Sequence, residues 1–203
     1  MIKLYFAPLT RAVRVLWLLE ELGLPYELER VDFAPPAKRF FAQQTPTGKL
    51  PTIEDGDVVM CESGAIIEYI LERYADGRLA PPRGTPERAR YLQWFHFAES
   101  TAFPPLGNVV WLTRYRGETE QYAELVEDAR GRATMGLDFL ERGLGDGPYL
   151  AGAEFTAADV MMGFSLVAAR VLGLLDAEHH PALAAYLDRL QSRPAFQKAA
   201  GAD

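Results

Sequence analysis

Glu62 and Ser63 stand side by side where an apolar helical pattern begins, and together they offer two kinds of charge recognition. A helix N-terminus exposes unpaired N–H groups and partial positive charge, so Ser63 can present both amide and hydroxyl to a carboxylate. Glu62 can accept hydrogen bonds from an ammonium group. The plainer alternative is that Ser63 caps its own helix, a common use of serine. Leu50-Pro51 lies at the start of a strand-like run, where a proline can hold a cis bond, although most X–Pro bonds are trans. The chain has one cysteine, Cys61. It can form no internal disulfide, fits a reducing compartment, and reads as a small buried apolar residue rather than a nucleophile. No Cys-x-x-Cys pair offers dithiol chemistry. His96 stands alone and His179-His180 are adjacent, so their side chains diverge and no metal site is expected.

These residues need elements to hold them. Ile2–Phe6 reads as a short strand ended by Pro8. From Arg11 to Leu22, Val13, Leu16, Trp17 and Leu19 recur at helical spacing, with Gly23 and Pro25 as stop signals. Tyr26–Val31 alternates as a half-buried strand does. Pro35-Pro36 marks a loop, and 39–43 could form a short helix. Two β-prone runs, Leu50–Ile53 and Val58–Met60, flank Asp55-Gly56, a strong hairpin signal. A helix from Ser63 to Tyr74 follows, with Ile66, Ile67, Ile70 and Leu71 on one face. The resulting order, β-α-β-α-β-β-α, predicts a small sheet covered by helices.

The stretch 76–86, rich in Pro and Gly, reads as a linker, and everything beyond it reads helical. Segments are expected over 86–116 and 119–142, with breaks near Pro104-Pro105 and over 143–148. Thr156 and Asp159 form a capping box with Asp in the Glu position, flanked by Phe155 and Val160 in staple positions. The division is therefore 1–76, linker 77–85, and a helical domain over 86–203.

Length and composition allow this. The chain has 203 residues, of which 49% are hydrophobic and 24% charged, enough for two packed cores. A net charge of −7 argues against nucleic acid, which needs clustered Lys and Arg. There is neither a signal-peptide pattern nor an apolar run near the roughly 18–20 residues that span a bilayer, so a cytoplasmic protein without membrane attachment is expected.

Leu50-Pro51 before a hairpin, Glu62-Ser63 at a helix start, the run from Arg14 through Trp17, Glu20-Glu21, Gly23 and Pro25 to Glu27, the Thr156–Asp159 box and the ending Ser192–Phe196 resemble the glutathione transferase family over nearly the whole chain. The resemblance implies an α/β thioredoxin-like N-terminal domain joined to an all-α C-terminal domain, a homodimer, and glutathione as co-substrate without a metal. It assigns Glu62 and Ser63 to the γ-glutamyl end of glutathione, and Leu50, before a cis Pro51, to the cysteinyl part through its main chain. Lys49 could meet the glycyl carboxylate; a solvated loop lysine is the competing reading.

The implied reaction is conjugation of the glutathione thiolate to an apolar electrophile, a detoxification chemistry. Alternatives are a glutathione-dependent disulfide or peroxide reductase and a non-catalytic glutathione-binding protein. A thiol of pKa near 8.5 needs help to ionise at neutral pH, from a hydroxyl or a helix N-terminus. Family members place Tyr, Ser or Cys between the first strand and helix. Here that segment, Ala7–Arg11, departs from the pattern. Thr10 stands where similar bacterial sequences have Ser before Arg and is the preferred candidate. Arg11 could instead polarise the sulfur; Tyr5 is a third candidate, but it lies inside the strand and reads rather as a core tyrosine. The second substrate would lie over the helix beginning at Pro86, where Trp94, Phe95, Phe97, Phe103, Trp111 and Tyr115 could line an apolar pocket, although most of the six read as core residues. His96 and Glu99 could reach the same cleft or a partner subunit, or face solvent.

Overall fold

In the computed structural model, residues 1–31, 45, 47–116, 120–145 and 147–202 are described. The loop at Pro35-Pro36 and the short helix over 39–43 lie outside them. By its contacts the chain forms two compact units, Met1–Ala80 with Gln191–Asp203, and Pro81–Leu190.

The first unit is built on four strands, β1 (Ile2–Phe6), β2 (Tyr26–Arg30), β3 (Thr52–Asp55) and β4 (Val58–Cys61), in the order β2-β1-β3-β4. β1 runs parallel to β2 and antiparallel to β3, and β3 and β4 form the hairpin marked by Asp55-Gly56. Gly56 takes φ +62°, the backbone state for which glycine suits such a turn. β1 buries Ile2, Leu4 and Phe6 while Lys3 and Tyr5 stay half-buried, the period-two pattern of a strand with one core face.

Helix α1 (Ala12–Leu22) is buried at every position from Ala12 to Leu19, Arg14 included. It closes as Gly23 turns left-handed at φ +65° and the Leu24 amide donates to the Leu19 carbonyl at 3.0 Å, the closure that frees Pro25 to start a new direction. Helix α2 (Ser63–Tyr74) turns Ile66, Ile67 and Ile70 inward. Buried Asp55 at the hairpin accepts from the hydroxyls of Tyr74 and Tyr69, both on α2. The Tyr74 bond leads, and with Tyr69 and the Arg73 cation it holds the Asp55 carboxyl below its ordinary range against the effect of burial.

The second unit holds α3 (Pro86–Phe97), α4 (Phe103–Val110), α5 (Ala123–Leu144), α6 (Ala157–Val171) and most of α7 (Pro181–Gln191). Thr85 caps α3, its hydroxyl accepting from the Arg88 amide at 3.2 Å. The break expected at Pro104-Pro105 does not occur. A π-helical turn, Ala98–Ala102, joins α3 to α4, and the Phe103 amide donates five residues back to the Ala98 carbonyl. The prolines then fall in the first turn of α4, where their missing N–H groups leave no gap in the ladder. Trp111–Arg116 is a second π-helical stretch. The next helix starts at Ala123 and runs to Leu144, later at both ends than the 119–142 expected from the sequence.

The last helix, α8 (Pro194–Ala200), belongs to the first unit and packs on α1, a difference from the division read in the sequence. Arg193 grips Glu21 through two hydrogen bonds of 2.6 and 2.7 Å, and Trp17 donates to the same carboxylate at 2.8 Å. The Phe196 ring meets Trp17 edge-on at 5.0 Å. These partners are 172 residues apart in sequence for the ion pair, so helical periodicity carries no trace of them. Among the described residues no helix is long and apolar enough to cross a membrane, and no cluster of three His, Cys, Asp or Glu side chains could hold a metal.

Candidate functional site

Strand register alone gathers the predicted site residues. Tyr5 lies opposite Thr52, and Thr52 opposite Cys61. The end of β1, the start of β3 and the end of β4 therefore share one edge of the sheet. From that edge emerge the loop Ala7–Arg11, the Leu50-Pro51 pair, and the Cys61–Ser63 entry to α2. The amide of Val31 adds the end of β2, donating to the Phe6 carbonyl at 2.8 Å. Ala7, Val31 and Leu50 pack together there, with Tyr5 against them.

The Leu50–Pro51 bond is cis. Leu50 stands before the first registered pair of β3, so its main chain lies beyond the ladder that occupies Thr52–Glu54. The preceding turn is held by buried Thr52, whose hydroxyl donates to the Lys49 carbonyl at 2.7 Å. With its one proton so used, Thr52 accepts from Thr47, 2.8 Å away.

Glu62 takes φ +72°, a conformation that costs a non-glycine residue of order 1–3 kcal/mol and is held by the structure around it. Its carbonyl accepts the first intrahelical bond, from Ile66 at 2.9 Å, so the amides of Ser63, Gly64 and Ala65 precede the ladder of α2. The Glu62 side chain is exposed and lies 3.7 Å from the Lys49 ammonium, which is exposed too. Such a pair adds little stability and leaves both groups available to a charged ligand. Ser63 is buried, and its hydroxyl accepts from Arg14 Nη1 at 3.1 Å. Arg14 is the residue that sequence reasoning missed. Its signal was present, a lone cation amid the apolar run Ala12–Leu19, since arginine is rarely buried without partners.

The thiol-activating candidates are placed differently. Thr10 is half-buried; its hydroxyl donates to the Ala7 carbonyl at 2.7 Å and accepts from the Ala12 amide at 3.3 Å. These two bonds tie the Ala7–Thr10 loop to the first amide of α1. Arg11 occupies the N-cap position and is half-buried. Tyr5 donates to Glu54 at 2.8 Å, and that bond, with burial, raises its pKa. Its proton faces along the sheet toward β3. Cys61 is half-buried at the end of β4.

In the helical unit Trp94 and Phe95 are core residues, at 2% and 0% exposure. Phe103 meets Phe164 in a tilted ring contact, 5.5 Å between ring centres. Phe97 and Tyr115 are half-buried, while Trp111 is 47% exposed beside Tyr115 and offers the most open aromatic surface of the six. His96 is exposed and Glu99 half-buried.

Comparisons with known proteins identify the family. Residues 4–82 match the family model "Glutathione S-transferase, N-terminal domain", and residues 123–189 match "Glutathione S-transferase, C-terminal domain". The glutathione S-transferase-like protein OpS6 of Beauveria bassiana is 32% identical over 92% of this chain and 88% of its own. A glutathione transferase from Methylococcus capsulatus superposes with a TM-score of 0.81 at 31% identity, covering 98% of this chain and 97% of that one. The transferase URE2P6 of Phanerochaete chrysosporium, solved with oxidised glutathione, superposes at 0.82 with 29% identity, covering 98% and 94%. With a mixed four-stranded sheet in one unit, helices in the other and both family domains matched, the chain belongs to the glutathione S-transferase family.

Proposed function

We propose that this protein conjugates the glutathione thiolate to an electrophilic, largely apolar small molecule. The observation that carries the reading is the buried Ser63 hydroxyl beside the first amides of α2, on the same sheet edge as Glu62 and the cis Leu50-Pro51. In this reading the γ-glutamyl carboxylate meets Ser63 and the α2 amides, and its ammonium meets Glu62. The Leu50 main chain aligns the cysteinyl part, and Lys49 turns from Glu62 to the glycyl carboxylate. The sulfur then lies toward the Ala7–Arg11 loop, where the positive end of α1 and the Thr10 hydroxyl favour the thiolate. The thiolate forms the new C–S bond as the electrophile's leaving group departs with its electron pair.

Calorimetry on the native protein and Ser63→Ala tests this. Loss of a hydrogen bond to a charged group predicts affinity for glutathione about tenfold weaker in the variant. Absence of binding heat in the native protein would end the reading.

The Thr10 proton resting on the Ala7 carbonyl favours a second reading, in which glutathione binds but no hydroxyl activates it. That protein would reduce disulfides or peroxides, or turn nothing over. Turnover of an aryl halide, lost in Thr10→Ala, supports conjugation. Turnover of a mixed disulfide alone supports the reductase. Ultraviolet thiolate absorbance that fails to appear on binding supports the inactive form.

We also infer a cytoplasmic homodimer. One support is an open groove of about 500 Å³ on the helical unit, with Phe97, Pro104, Met135 and Phe139 in its walls. Met135 is 63% exposed and Phe139 43%, apolar surface that a second copy would cover. Light scattering should give twice the mass of one chain, and Phe139→Asp should lower it; a native mass of a single chain excludes the dimer.

A further inference from the structure

We propose that Arg14 is a positioning residue for the carboxylate end of glutathione, acting through Ser63; the proposal rests on the reading that glutathione binds at this sheet edge. Arg14 sits on α1 with no exposed surface, flanked by Ala12, Val13, Val15 and Leu16, all buried. A guanidinium stays charged in any protein environment, so placing one there is costly unless its donors are used. One of them reaches the residue 49 positions ahead, meeting Ser63 Oγ at 3.1 Å.

That contact dictates where the serine proton goes. A hydroxyl has one proton to give and two lone pairs to receive. Arg14 can only donate, so it takes a lone pair of Ser63 and cannot receive its proton. The Ser63 O–H is left to point elsewhere, beside the amides of Ser63, Gly64 and Ala65 that precede the α2 ladder. Four donors are thereby grouped for one anion: three N–H groups and an oriented O–H.

The charge acts in the same direction. A cation ordinarily stabilises the C-terminal end of a helix, yet Arg14 meets α2 at its N-terminal end, where it adds to the positive potential. The arrangement favours an anion at those amides. Arg14 touches no ligand atom in this scheme. It selects for the γ-glutamyl α-carboxylate and has no part in the sulfur chemistry.

The test uses two peptides, glutathione and 4-aminobutyryl-cysteinyl-glycine, which is the same tripeptide without the α-carboxylate. Affinities for both are measured on the native protein, Arg14→Gln and Arg14→Lys, with thermal melts to confirm folding. Arg14→Gln is expected to weaken glutathione about tenfold while changing the truncated peptide less than about twofold. Arg14→Lys, which keeps the cation, should recover part of the loss. At saturating glutathione, kcat should be unchanged, the whole effect appearing in KM.

Equal losses for the two peptides would make Arg14 a structural residue and overturn the proposal, as would no loss for either. If Arg14→Gln does not fold, Arg14→Lys against the same two peptides decides by the same criterion. A native protein that binds neither peptide overturns the functional reading itself, and the assignment of Arg14 falls with it.

Discussion

Asp159→Ala is expected to destabilise the protein by about 4 kcal/mol, read as a fall in the urea midpoint of unfolding. The carboxylate has no exposed surface and accepts four hydrogen bonds. One oxygen takes the Leu150 amide at 2.9 Å and the Tyr186 hydroxyl at 2.6 Å. The other takes the Thr156 amide at 2.7 Å and its hydroxyl at 2.9 Å. Burial raises the Asp159 pKa, and these four donors only partly offset that rise. Alanine removes the acceptor while Leu150 and Tyr186 stay fully buried, and each orphaned donor costs about 1–3 kcal/mol. Loss of the N-terminal cap of α6 adds about 1 kcal/mol. Tyr186→Phe, which removes one donor and orphans nothing, should cost about 1 kcal/mol. An Asp159→Ala variant within 1 kcal/mol of native stability would show that water or another group replaces the carboxylate.

Two glycines of α5 should respond to alanine with opposite signs. At Gly143 a Cβ would lie 2.5 Å from Cη2 and Cζ2 of Trp94. That indole is 2% exposed and wedged against Phe97 and Phe139, each 5.5 Å away between ring centres. Displacing it is expected to cost about 2 kcal/mol net, after the helix-propensity gain of alanine over glycine. At Gly131, by contrast, nothing lies within 4 Å of the added Cβ. Gly131→Ala should therefore stabilise by about 0.8 kcal/mol, the bare propensity difference. Thermal melts of the two variants beside the native protein should bracket its transition from below and above. A Gly143→Ala protein that melts at or above the native temperature would mean that the Trp94 cluster repacks freely.

Caps and turns are legible in the sequence because their causes are local. Gly23 and Pro25 end α1, Asp55-Gly56 turns the hairpin, and Thr156 with Asp159 opens α6, each decided by residues within about four positions of one another. The candidate residues Glu62, Ser63, Leu50 and Pro51 are legible for a related reason: they sit at the joints between elements, and strand order then brings those joints to one edge.

The sequence by itself thus determined the four strands, the helices α1 and α2, their order and the joints that reach that edge, since each depends on neighbours in the chain. Only the tertiary structure decided what the buried polar groups do. Arg14 meets Ser63 across 49 residues, Tyr186 meets Asp159 across 27, and α8 returns to α1 through Arg193 and Glu21 across 172. The continuous path through Pro104-Pro105 belongs with these. Proline predicts a break from its missing N–H, but a π turn that sends the Phe103 amide to Ala98 absorbs the defect, and the Ser165 hydroxyl from α6 reaches the same carbonyl at 3.0 Å. Hydrogen bonds between distant segments follow from how helices pack, and no periodicity within a segment records its partner.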